Sequence, residues 1–454
     1  MAAGERSPPS TELRTGLERL LSRVVTVRAG EGTVVALLFV KVFLLLFAYY
    51  LLKPVREALI LSESSAEVRS YALAAQALLL MLIIPVYTAV LRRIFPHYHL
   101  VPWITVFLAA NLLAFMGAGA AGTAIGVPFF IWLGIFNVLI VAQFWAFAAD
   151  LFGVEAGERL FVLVAVGASG GAWAGALASK PLFALFGLYG TMGVAVVLLL
   201  ATVPLTPLAR RRVPERSRPA REAAAPHPEE ISGVLGGFRV VLADRYLRQI
   251  ALFMLLLNCI NSTGEYLLSR AVETHADALL AAGTIQDAGR WIGAFYGDFY
   301  AWVNGAGIAI QLLLVARIFR YLGVGGATRV LPAVAALGYG LLAFVPVFAL
   351  IRLFKIVENS VNYSLQNTAR HALILPCDEE QKYAGKTTID TFFWRLGDLA
   401  HAGIVFAGVH WLAAAPAQFA AFNALLALGW WWLAGSIAGE HRRRTAPAAA
   451  MAPA

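Results

Sequence analysis

The sequence predicts an all-α membrane protein with about twelve transmembrane helices in two six-helix halves. Three observations carry that expectation. First, of 454 residues 60% are hydrophobic and only 14% are charged, against roughly 25% charged in a typical soluble domain. Second, apolar runs near the 20 residues that cross a bilayer recur along the whole chain. Third, the loops between those runs alternate between basic and poorly charged, as the positive-inside rule requires.

Taken in order, the spans fall near 33–57, 69–91, 100–121, 126–149, 159–185 and 187–207, then 246–269, 290–317, 327–344, 346–370, 387–411 and 415–437. The mean hydropathy is +0.72. The balance of +9 sits in short clusters between apolar runs rather than on one face, so it reports topology and excludes a nucleic-acid binder. Arg92 and Arg93, Arg210 to Arg212, Arg317 with Arg320, Lys382 with Lys386, and Arg442 to Arg444 alternate with poor loops at 122–125, 186, 345 and 412–414. Both termini are therefore expected in the cytoplasm. A richness in Ala, Gly and Arg suits a bacterial inner membrane.

A polar stretch at 208–245, rich in Arg, Pro and Glu, divides the chain into six spans plus six. The expected organisation is a cytoplasmic N-terminal segment (1–32), a first half (33–207), a cytoplasmic linker (208–245), a second half (246–438) and a cytoplasmic tail (439–454). Two such halves are the major-facilitator arrangement, in which substrate binds between them near the midplane. The loop after the fourth span (Asp150, Glu155, Glu158, Arg159) echoes the loop after the tenth (Asp378, Glu379, Glu380, Lys382). Before the first span, Leu13, Leu17, Leu20, Leu21 and Val24 fall at helical spacing and predict a short interfacial helix. Glu5, Glu12 and Glu18 in that region argue against a signal or transit peptide. Cys259 and Cys377 do not form a disulfide framework. In the fifth span Gly167, Gly171 and Gly175 recur every four residues, a pattern that lets helix backbones approach closely.

Charges inside the spans are the main functional signal, since each costs at least ~2.5–3.5 kcal/mol on insertion scales. In the tenth span Arg352, Lys355, Glu358, Asn359, Asn362, Gln366 and Arg370 recur at intervals of three and four. On an unbroken α-helix they share an arc of roughly 120° and rise about 27 Å, nearly the hydrocarbon thickness. The expectation is a polar path across the membrane, with Arg352 or Lys355 able to pair with Glu358. The first span ends Tyr49 to Glu57, with Tyr49, Lys53 and Arg56 on one face and Pro54 a predicted kink. Lys53 either lines the cavity or snorkels to the interface, and Lys41 is expected to snorkel. In the eleventh span Asp390, Trp394, Asp398 and His401 share a face with Arg395 beside it. Lys180, Glu265 and Asp298 read as isolated; Lys180 belongs to packing, whereas Glu265 stands deep enough to line a cavity.

The basic surplus (Lys53, Arg56, Arg352, Lys355, Arg370, with Asn362) suits an anion, because guanidinium groups match phosphate or carboxylate bidentately. Glu265, Glu358, Asp390 and Asp398 are candidates to hold those cations, to carry a proton or to gate. His371, His401 and the cysteines lack metal-ligand spacing. There is no P-loop and no nucleophile elbow. The chain thus reads as a transporter without cofactor or metal rather than an enzyme.

Two segments resemble the ATP/ADP antiporters of the nucleotide-transporter type, the NTP/NDP exchange transporters. The sharper is Val361-Asn362-Tyr363-Ser364-Leu365 through Ala369-Arg370-His371, then Leu375-Pro376, Lys382, Gly385-Lys386 and Ile389-Asp390. The other is Lys53-Pro54-Val55-Arg56-Glu57, and Asn261 with Glu265 is similar to an Asn-to-Glu segment of that family's seventh helix. The resemblance implies ATP/ADP-type exchange by alternating access, with Arg56, Glu265 and Arg370 at positions implicated in nucleotide exchange. His371 departs from the usual Glu, and the run Trp394 to Asp398 looks like the broad bacterial branch. Two other readings stay open: a proton-coupled carrier of another organic anion, and a membrane receptor or scaffold that keeps the fold without transport. A monomer is compatible with everything read here.

Overall fold

A computed structural model describes residues 15–22, 25–93, 100–214, Ser217 and 234–445. Most of the expected N-terminal segment, the middle of the linker and the end of the tail lie outside the described residues, as do Leu13 and Val24. Within them the molecule is helical throughout and contains twelve membrane-crossing helices in two halves of six. Eight helical segments are long and apolar enough to cross a membrane; two of these, Glu155–Arg211 and Ala288–Phe344, supply two spans each, and the tenth and eleventh spans, broken by π-turns, bring the number to twelve. The two double segments fold back at Gly187 (φ 67) and Gly323 (φ 65). That left-handed conformation is open to glycine without steric cost, so these two residues separate the fifth span from the sixth and the eighth from the ninth.

The first span runs Glu31–Glu63, six residues past its expected end, because Ala58 to Leu61 continue the apolar run. The segment Tyr49 to Glu57 therefore lies inside the helix. Pro54 is accommodated within it. The second, third and fourth spans are Ala66–Arg93, Leu100–Ala120 and Gly126–Leu151. The seventh is Arg245–Ala281, ending twelve residues later than expected. The tenth is α-helical over Phe348–Val361 and Asn367–Ile374, with a π-turn at Asn362–Gln366 between them. In the eleventh a π-turn at Ile389–Phe393 precedes Trp394–Phe406. The twelfth, Pro416–Thr445, continues through the start of the expected tail.

Packing follows the sequence closely in the first half. A Cβ on Gly171 would stand 2.3 Å from the Phe43 carbonyl oxygen, and one on Gly175 2.5 Å from that of Phe47. The small-residue stripe thus seats the fifth span on the backbone of the first. Before the first span, the short helix Gly16–Leu21 is capped by Thr15 and Glu18. Glu18 also accepts from Gly30 N at 2.6 Å and Gly32 N at 3.3 Å. Burial raises the Glu18 pKa, but these bonds and those with Thr15 outweigh it and hold the carboxyl below its ordinary value.

The halves meet along the first and fifth spans against the eighth, and the second against the eleventh. The polar contacts found between them lie on the side away from the termini. Glu67 meets His410 at 2.7 Å, Ala66 N donates to Glu273 at 3.2 Å, and Arg290 donates to the Phe183 carbonyl at 3.1 Å. The two apolar cores separate in the same way. The second-half core takes in Ala58, Ile60, Leu61, Ala66 and Ala72 from the first half, all near that distal side.

Candidate functional site

A buried chain of alternating charges lies at the distal seam. Arg56 donates to its neighbour Glu57, with Nε at 3.1 Å from Oε1. Arg69, at the start of the second span, donates to the same carboxylate at 2.6 and 3.3 Å. Its guanidinium lies 3.9 Å from Glu265 of the other half. Glu265 lies 3.4 Å from Lys355 and accepts from Asn359 at 2.8 Å. Lys355 ends on Glu358 at 2.5 Å, and Tyr339 OH is 2.9 Å from both oxygens of Glu358. Glu57 and Lys355 are wholly buried, and Arg69 and Glu358 nearly so.

Local sequence explains how this chain is seated. Arg56 and Glu57 are adjacent, and two nitrogens of the guanidinium, Nε and Nη2, reach the same carboxylate oxygen. Gly264 makes room for Lys355: a Cβ there would sit 1.8 Å from Tyr339 OH and 2.9 Å from Lys355 Nζ. Lys355 also donates to the Asn261 side chain at 3.2 Å.

Three cations and three carboxylates balance along that chain. Lys53 is the surplus. Among the described residues no carboxylate comes within ion-pair distance of its ammonium. Instead Nζ lies 3.9 Å from the ring centroid of Tyr300, 5.3 Å from that of Tyr50 and 5.8 Å from that of Tyr363. Tyr50 belongs to the first half and the other two to the second, so the cage is built across the seam. Arg56 lies similarly over Phe130 at 4.3 Å. Ring faces attract a cation without neutralising it. Among these seam residues the cations therefore outnumber the carboxylates by one.

The other expected site residues fall elsewhere. Arg352 pairs with Asp298, which is consequently not isolated, and both are partly exposed. Arg370 and Asp390 lie toward the terminal side, in a small cleft with His371 and Lys386. Lys386 pairs with Asp390 at 3.0 Å, and Arg370 lies over Trp394. Asp398 accepts from Ser262 at 3.1 Å and lies 3.6 Å from Arg395, while buried His401 meets Thr263 at 3.1 Å. Asn362 is buried beside this core. The polar residues of the tenth span thus do not form one continuous surface. The π-turn at Asn362–Gln366 adds one residue to its turn and rotates all that follows by roughly 100°. The π-turn at Ile389–Phe393 likewise divides Asp390 from Asp398. Lys53 is buried rather than snorkelling. So is Lys41, which donates to Thr206 and lies 5.3 Å from the Phe147 ring. Lys180 is exposed near the packed end of its span.

Sequence reasoning passed over Glu57 and Arg69. Glu57 looked like the end of a span and Arg69 like the flank of the next. The apolar run Ala58 to Leu61 was the signal that places Glu57 within the first span.

No protein-family model matches the chain, and no curated protein matches it in sequence. Its fold, however, has solved counterparts. The crystal structure of the nucleoside transporter NupG superposes on 87% of this chain and 98% of its own, with a TM-score of 0.62 at 12% identity. The chain has the major-facilitator fold. The POT family transporter PepTSo covers 90% of this chain and 98% of its own, at a TM-score of 0.62 and 11% identity. A bacterial homologue of the human lysosomal transporter Spinster, in an inward-facing and unoccupied conformation, covers 92% and 98%, at 0.56 and 12%. At such identities the likeness is one of fold, and the site must be argued from its own residues.

Proposed function

We propose that this major-facilitator protein is a secondary active transporter that moves an anionic solute by rocking its two halves about the charged seam. The observation that carries the reading is the buried surplus cation: Lys53 held by three tyrosine faces across the seam, with no carboxylate of the described residues within ion-pair distance. An incoming anion supplies the missing charge. It also competes with Glu57 and Glu265 for Arg56, Arg69 and Lys355, so binding loosens the contacts that hold the distal side shut. Phosphate or carboxylate suits the two guanidinium groups.

The cargo we propose is a nucleotide exchanged in the ATP/ADP manner. That rests on the motif resemblance at Lys53 to Glu57 and at Val361 to Asp390, which brings Arg56, Glu265 and Arg370 into the assignment. Arg370, Lys386 and Asp390 then stand on the terminal side, where a released anion leaves. With both termini in the cytoplasm, a closed distal side makes this an inward-facing arrangement of a plasma-membrane carrier.

The test is uptake of radiolabelled ATP into proteoliposomes loaded with ADP, beside empty vesicles and vesicles carrying only a pH gradient. A requirement for internal ADP supports exchange. Uptake of an anion driven by the pH gradient alone supports proton coupling, the second reading, which buried Asp398 and His401 favour. No flux of ATP or of other phosphorylated and carboxylated anions from folded protein would refute transport of this class and favour the receptor reading.

A further inference from the structure

A second anion site lies outside the seam, at the outer surface of the second half on the side of the termini. The start of the seventh span and the end of the twelfth enclose a cavity of about 200 Å³. A water needs roughly 10–15 Å³ of such space, so the notch admits a polyatomic anion. Arg245, Arg443, Gln249 and Ser436 line it. Gln249 Nε2 donates to Ser436 Oγ at 2.8 Å, which leaves the serine hydroxyl hydrogen free to donate into the cavity. Gly439 keeps the wall of the twelfth span low, whereas Gly435 is covered by the Arg329 guanidinium.

The charge is basic on balance. Glu440 also lines the notch, and it lies 3.6 Å from both Arg443 and Arg444. Arg444 is held by Asp244 at 2.7 Å. Arg245 has no carboxylate within ion-pair distance among the described residues. One cation is therefore left for a ligand.

What surrounds the notch selects the source of the anion. On the twelfth span Leu425, Leu428, Trp432, Ser436, Gly439 and Arg443 follow at three- and four-residue spacing, on one face. The first three are strongly exposed apolar side chains that continue away from the notch along the helix. On the seventh span Arg245 and Gln249 are followed at the same spacing by exposed Leu252. A polar, basic notch at the end of an exposed apolar groove matches a phosphate with acyl chains attached. Basic pockets between transmembrane helices bind anionic headgroups in this way. We infer that this notch binds the phosphate headgroup of an anionic phospholipid, its chains lying along Leu252, Leu428 and Trp432.

The inference is independent of the transport reading. The experiment is native mass spectrometry of the full chain with phosphatidylglycerol, with phosphatidylcholine, and with phosphatidylglycerol plus inorganic phosphate. Phosphatidylglycerol is expected to be retained preferentially. Arg245→Gln with Arg443→Gln should weaken it by about tenfold or more, the loss of at least one charge-assisted contact. Gly439→Leu should do the same with the charges intact, since a Cβ at Gly439 meets nothing within 4 Å and so fills the notch without disturbing the fold; it decides the matter alone if the double variant does not fold. Equal retention of both lipids, or unchanged binding in Gly439→Leu, overturns the site. Full displacement by millimolar inorganic phosphate overturns the lipid assignment.

Discussion

Lys355→Gln is the most informative single change. The ammonium lies 2.5 Å from Glu358 and 3.4 Å from Glu265, and it is wholly buried. At an effective dielectric of about 20, those two distances correspond to gross attractions of about 7 and about 5 kcal/mol. Desolvation of all three groups offsets most of that, so the useful quantity is the cost of breaking the set. Removing one partner of a buried pair costs about 3–5 kcal/mol, because the remaining charge is stranded. Glutamine in place of Lys355 strands two carboxylates, with only Tyr339 left to Glu358, and Asn359 and a distant Arg69 left to Glu265. The expected loss is therefore about 3–5 kcal/mol, a factor of roughly 10² to 10⁴ in the folded population. Adding Glu358→Gln removes one stranded charge and keeps an acceptor for Tyr339. The double variant should recover more than half of the loss. The assay is reversible denaturation of purified protein in one detergent, comparing the wild type with the single and double variants. A single variant as stable as the wild type, or a double variant no better than the single, would refute the idea that charge balance governs this seam.

Three other changes test other parts of the structure. Lys53→Gln should raise the KM of the transported anion by about 10–100-fold with little effect on kcat, the signature of a lost binding contact; an unchanged KM in proteoliposomes would remove Lys53 from the site. Gly171→Leu should abolish monodisperse folded protein in size-exclusion chromatography, since its Cβ meets the Phe43 backbone at 2.3 Å, whereas Gly170→Ala should be tolerated because its nearest contact is 3.7 Å away; equal behaviour of the two would contradict the packing described. The Glu18 carboxyl has a folded pKa below its ordinary 4.5, so its contribution is complete above that value and is lost as pH falls through the folded pKa. The protection of the Gly30 and Gly32 amides against hydrogen exchange, taken relative to the intrinsic rate at each pH, should fall on acidification, and Glu18→Gln should already show the lower protection at neutral pH.

Twelve spans and two halves were legible in the sequence because lipid imposes a long-range composition rule. Every span must be apolar over a bilayer's thickness and must satisfy its backbone internally. The Gly167, Gly171 and Gly175 stripe was legible for a similar reason, since close helix contact demands small residues at one spacing. Which span ends were charged was harder to read. Glu57 and Arg69 flank a loop in the sequence, yet the first span continues to Glu63 and the second begins at Ala66, so both lie within helices and are buried. The tenth span shows the other limit. Its polar residues keep perfect α-helical spacing, but periodicity assumes a constant turn, and a π-turn at Asn362–Gln366 breaks that assumption without leaving a compositional mark.

By itself, then, the sequence determined how many helices cross the membrane and that several of them carry charge. Only the tertiary structure decided their partners. Asp298 met Arg352, Lys355 was shared between Glu265 and Glu358, and Lys53 was left to three tyrosines from both halves. Pairing depends on crossing positions between helices far apart in the chain, and electrostatic energy changes over a few ångströms. Hydropathy is set one helix at a time, whereas charge compensation is set by the whole bundle.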